Sequence, residues 1–276
     1  LPSGERSGKV TIRLDHALYR LLYNRAYRRL LLQGRFHDMD LSEQDAWALR
    51  TIDTSELEAL SEKICRTLLR GDLNIEGGLS KSYPGVFQAL KRQQRDALSV
   101  MYDFVESEDF ARHRQMPHGE AGLCLEEAFY AFLSKNAAFL SAAPYNHLLL
   151  THEFLTVMLS ILTVNRDPAF VVQSPKIRHN GAAHYAVEEY PAEIAARLAG
   201  REPGKESASK HVLFLYASNE VRLVRGPTEP VVIALLTAGS RQMITRDLPL
   251  LASRFTIDPA HIDRMADNLH QLGLLG

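Results

Sequence analysis

His211-Val-Leu-Phe-Leu-Tyr-Ala217, then Ser218-Asn219, then Glu220-Val-Arg-Leu-Val-Arg225, reads as strand, turn, strand. Both flanking runs are rich in β-branched and aromatic residues, and Asn tolerates the positive φ that tight hairpin turns demand. Three helices are expected behind this hairpin. Thr228 can cap one over 229–237 closed by Gly239, and Thr245 a second over 246–255. Asp258-Pro259 opens the third, because Pro is preset for the first helical position. That helix carries Ile262, Met265, Ala266, Leu269 and Leu272 on one stripe and stops at Gly273. A hairpin followed by three short helices is a winged-helix-like arrangement.

Upstream, a small helix is expected over 192–198, then a polar segment over 201–210. Asp167-Pro168, Ser174-Pro175 and Asn180-Gly181 punctuate a stretch that reads as loop with room for one short strand. Before that loop the chain reads as helix after helix. Residues 14–32 place Leu14, Leu18, Leu21, Leu22 and Leu30 at a 3.6-residue period. Ser42 and Asp45 start a short helix that holds Trp47. Asp53-Thr54-Ser55-Glu56 resembles a capping box, and the helix after it stops at Gly71. Further helices are expected over 86–105, 125–133 and 148–162. The expected fold is mainly α with a small α+β winged-helix-like C-terminal domain. Its expected parts are a helical domain at 1–165, a linker at 166–183 and the winged-helix-like domain at 184–276.

Bulk properties narrow the partners. The 276 residues are 46% hydrophobic and 24% charged, with net charge -1 and pI about 6.9. No global field draws this chain to nucleic acid or an anionic membrane. Its apolar runs look well short of the roughly 20 residues of a membrane span. Cys65 follows Ile64 on an apolar stripe, so Cys65 and Cys124 are read as reduced, buried thiols, and the expected location is cytoplasmic. Up to Arg35, eight Lys or Arg stand against Glu5 and Asp15, a local basic excess that includes Arg6, Lys9, Arg25 and Arg29.

Gly77-Gly78-Leu79-Ser80-Lys81-Ser82 lacks the spacing that aims successive amides at a phosphate. His113 and His118, and likewise His147 and His152, are five apart and diverge around a helix. His152-Glu153 lacks the second His of a zinc-protease pattern, so a satisfied or solvent-facing histidine is the better reading of each. No catalytic and no metal-binding residue is assigned. A winged helix also suggests a DNA-binding regulator with a helical effector domain. However, the last helix carries Arg264 as its only Lys or Arg, against Asp258, Asp263 and Asp267.

The order of these segments resembles a known group. The runs His211 to Tyr216 and Glu220 to Val224, an apolar helix ending near Gly239 and a closing Gly273-Leu-Leu resemble the leader-recognition element of ribosomal-peptide maturation. The pyrroloquinoline-quinone peptide chaperone is its simplest member. Tyr83-Pro-Gly-Val-Phe-Gln-Ala-Leu90, Leu125-Glu-Glu-Ala-Phe-Tyr-Ala-Phe-Leu133 and the helix around His147 to Glu153 resemble the helical domain of partner proteins of multinuclear non-haem iron-dependent oxidases. Those of the methanobactin and 3-thiaglutamate pathways are examples, the latter looking closer.

The resemblance implies a hetero-oligomer and a division of labour. A separate oxidase subunit holds iron and modifies a cysteine of a substrate peptide. This chain, with no cofactor of its own, binds the peptide's leader. Nucleic acid and membrane are not expected partners. The expected grip is strand addition, in which a leader pairs its main chain with an open sheet edge. The candidate edge is Val221, Arg222, Leu223, Val224 and Arg225. Ile262, Met265 and Leu269 are the candidate groove floor, and Arg264 joins Arg222 and Arg225 as contacts for acidic residues.

Overall fold

A computed structural model describes residues 12–71, 77–115, 124–164, 174–202 and 210–276. Arg6, Lys9, His118, Asp167-Pro168 and the polar run 203–209 lie outside them. The chain divides into two compact units, Leu1–Arg114 and Gln115–Gly276. The expected linker at 166–183 thus falls inside the second unit.

In the first unit, the single helix expected over 14–32 is two, α1 (Leu14–Tyr23) and α2 (Arg25–Leu32). Asn24 breaks it, with extended backbone and a side chain that accepts from Tyr27 N and so caps α2. Buried Arg28 then donates to the carbonyls of Leu21 and Leu22, which the end of α1 leaves unpaired. A 3₁₀ turn (Phe36–Met39), α3 (Glu43–Leu49) and α4 (Thr54–Arg70) follow. Asp53 caps α4 by accepting from Ser55 N and Glu56 N. Ala17, Leu21, Tyr27, Leu31, Met39, Leu49 and Leu57 form one core here. Burying each large member contributes about 1.5–3 kcal/mol.

The remaining helices of this unit are α5 (Leu79–Ser82), α6 (Pro84–Arg92), α7 (Ala97–Val105) and α8 (Glu108–Gln115). The helix expected over 86–105 is interrupted where Gln94 takes φ 57 and Asp96 caps α7 by accepting from Ser99 N. Arg25 is not a free surface cation. Its guanidinium lies 2.6 Å from an Asp103 oxygen and 2.9 Å from a Glu106 oxygen.

The second unit opens with α9 (Leu125–Ser134), α10 (Ala137–Ser141) and α11 (Asn146–Val164). A four-stranded antiparallel sheet follows in the order β1 (Arg178–His179), β2 (His184–Pro191), β3 (His211–Ser218) and β4 (Leu223–Thr228). A helix, α12 (Ala192–Leu198), separates β2 from β3. Three helices close the chain: α13 (Pro230–Ala238), α14 (Arg241–Phe255) and α15 (Pro259–Gln271). Mainly α with a small α+β C-terminal part is the observed architecture.

Alternation along β3 sends its side chains to opposite faces. Leu215 and Ala217 join Tyr185 and the helical residues Val231, Leu235, Ile244, Ile262, Ala266 and Leu269 in one core. Phe214 and Tyr216 turn to the other face, where α11 packs on β2 and β3 and its His152 meets Tyr216. The hairpin is therefore the second half of a sheet covered on both faces. With 19 residues and mean hydropathy 1.5, α11 is long and apolar enough to cross a membrane by length and composition. In this unit it buries Leu150, His152, Phe154, Leu155, Met158 and Leu159, and about two thirds of it is not buried.

Two asparagines pin the sheet's turns to the helices. Asn180 donates to Leu236 O and Leu274 O while accepting from Ala182 N and Ala183 N. Asn219 donates to Leu272 O and Gly273 O while accepting from Val221 N and Arg222 N. Each thus supplies donors to carbonyls at or beyond helix C-termini.

Candidate functional site

The turn between β3 and β4 is set by Asn219, whose N–H donates to Arg222 O over 3.1 Å. Glu220 and Val221 are its tip. Val221 and Arg222 therefore belong to the turn rather than to the expected strand, and Val221 is 75% exposed. Leu223, Val224 and Arg225 lie in β4, opposite Ser218, Ala217 and Tyr216. The shift follows from the Asn219 side chain, which holds the amides of Val221 and Arg222 and delays the ladder.

Counting from the closing bond, antiparallel alternation leaves the main-chain groups of Leu223, Arg225 and Pro227 facing away from β3. β4 is the last strand of the sheet, so no strand pairs with these groups, while α11 and α12 both contact β4. Pro227 has no N–H to offer there, which ends the row of outward donors at Arg225. Arg225 is exposed and its guanidinium lies 3.3 Å from Thr156 Oγ1 on α11. Thr156 and Pro227 carried no signal in the sequence, because their roles depend on which strand ends the sheet.

Behind this edge lies a buried polar chain. His152 Nδ1 is 2.7 Å from Tyr216 Oη, which is 3.0 Å from Tyr190 Oη. Burial, then the nearby Arg225 charge, pushes His152 down to about 4. Burial likewise raises both tyrosines well above their usual range. Neutral groups linked by hydrogen bonds in a closed interior fix the register of α11 on the sheet. The satisfied histidine expected at 152 is this one.

The expected groove floor is placed differently. Ile262 is 0% and Leu269 7% exposed, both inside the core formed with β2, β3 and α13. Their stripe is consumed by packing, so they offer no surface to a ligand. Met265 is half-buried against the same core. Arg264 is exposed on α15, 3.3 Å from His261 Nδ1. On α15, Asp263 and Asp267 are both paired with Arg241, at 2.7 and 2.9 Å.

Both cysteines are free thiols. Burial pushes Cys65 up to about 11 and raises Cys124 further, which suppresses thiolate at neutral pH. Among the described residues no group of three or more His, Cys, Asp or Glu is placed to hold a metal ion. Compared with protein-family models, curated proteins and solved structures, the chain matches none of them.

Proposed function

We propose that this chain is a non-catalytic partner subunit that binds the leader of a ribosomally made peptide and presents it to a separate iron-dependent oxidase. The observation that carries this reading is the unpaired β4 edge, with outward main-chain groups at Leu223 and Arg225 and the Arg222 and Arg225 side chains beside them. An extended peptide added there gains main-chain hydrogen bonds, and the arginines favour acidic residues. Beyond Tyr185, β2 also lacks a strand neighbour, but it carries Glu188 and Glu189 and suits an acidic leader less. Holding the leader raises the local concentration of the peptide at the oxidase without chemistry in this subunit.

The decisive experiment combines capture with a point change. Tagged chain should co-purify an iron-dependent oxidase, and should bind the precursor peptide encoded with that oxidase. Arg222→Glu should weaken peptide binding at least fivefold while leaving the melting temperature unchanged. Duplex DNA binding with steep salt dependence, and no peptide affinity, would instead support the regulator reading.

A further inference from the structure

The β1–β2 hairpin holds two histidines that the proposed function does not use. Asn180 N donates to Ala183 O across a tight turn, so the next pair, His179 and His184, is a non-hydrogen-bonded pair. Such pairs bring opposed side chains closest together. The two imidazole centroids are 4.4 Å apart and the rings tilt by 35°.

Most other polar side chains on this face of the sheet have partners. Tyr190 and Tyr216 bond each other, Glu188 bonds Lys176, and Arg225 reaches Thr156. Among the described residues, neither His179 nor His184 has a hydrogen-bond or carboxylate partner. The register continues to Ser218, the partner of His184 on β3, whose buried Oγ is also unpaired. One row across three strands thus presents two imidazoles and a hydroxyl with unspent hydrogen-bonding capacity. Burial, then His179, holds His184 below the ordinary imidazole range.

We propose that His179 and His184 form a two-imidazole chelating site for a divalent d-block cation of the zinc, nickel and copper class. Imidazole suits those ions, whereas hard oxygen-seeking cations need carboxylates. A tetrahedral ion with metal–nitrogen bonds of about 2.1 Å needs its two nitrogens roughly 3.4 Å apart, within reach of small rotations of rings this close. Water completes the coordination. The ion staples the two-residue strand β1 to β2. This site is independent of leader binding.

The test uses the full chain freed of any histidine tag, titrated calorimetrically with zinc sulfate and with nickel chloride. One ion per chain is expected, reversed by EDTA. His179→Ala and His184→Ala should each weaken binding tenfold or more, while His270→Ala leaves it unchanged. Zinc should raise the melting temperature of the parent chain and not of either variant. Exposed His179 can be changed without disturbing the core, so its variant remains informative if His184→Ala folds poorly. Affinity in His179→Ala within twofold of the parent would overturn the site. So would a loss confined to one of the two variants, which would mark a single-imidazole contact.

Discussion

Asn219 uses both ends of one amide to hold four main-chain groups, two in the turn and two at the end of α15. Asn219→Ala leaves those groups without partners, and each buried loss costs about 1 kcal/mol or more. The expected result is a destabilisation of about 2–3 kcal/mol by urea unfolding, with a smaller loss for Asn219→Asp. Gly273 sits against the same amide, because a Cβ there would lie 2.7 Å from Asn219 Nδ2. His152 makes a pH prediction. Its folded value of about 4 lies below the ordinary 6.5, so folding favours the neutral ring. Stability from this group is complete above about pH 6.5, falls as the pH drops towards 4 and levels off below. The full loss is on the order of 3 kcal/mol. Carboxylates also change charge in this range, so the measurement is the difference between the parent chain and His152→Gln across pH 7 to 4. Parallel curves would contradict the assignment.

At the scale of elements, β4 separates two kinds of backbone change. Leu223 N–H faces the unpaired edge, and Val224 N–H faces β3. Leu223→Pro should therefore keep the β3–β4 ladder and lower affinity for the precursor peptide, roughly fivefold or more. Val224→Pro should unfold the second unit, seen as a collapse of the thermal transition. Equal effects of both on stability would mean the register is different. The helices were legible where their signals are local. Asp53, Ser42 and Asp258 each accept from an amide in the first turn, as their sequence positions suggest. The second C-terminal helix begins earlier than Thr245, because Ser240 caps it by accepting from Met243 N. β2 was illegible for a non-local reason. His184-Tyr-Ala-Val-Glu-Glu-Tyr-Pro191 alternates poorly, and it becomes a strand by pairing along its whole length with β3. Ile262 and Leu269 were visible as a stripe, but a stripe does not say whether a helix or a ligand covers it.

Over the whole molecule, the basic residues near the start of the chain divide into two kinds. Arg25 is held by Asp103 and Glu106, so its reversal should destabilise the first unit rather than probe a partner. Arg20 and Arg29 are exposed. Reversing both to Glu should slow association with an acidic oxidase surface, more at low salt than at high salt, as stopped-flow mixing would read. An unchanged rate at every ionic strength would leave these residues as a solvated face. Elemental analysis should find iron with the complex and less than about a tenth of an equivalent with this chain alone, since imidazole pairs hold ferrous ion weakly. Pro227 has a consequence for how the protein behaves among its own copies. A strand edge with no strand neighbour is exposed to pairing with a second copy of itself, which is the usual route to sheet-to-sheet aggregation. By removing a donor just past Arg225, Pro227 shortens the run of outward amides along which two copies could pair. Pro227→Val should lengthen that edge, and sedimentation velocity at rising concentration should then reveal dimers and larger species absent from the parent chain.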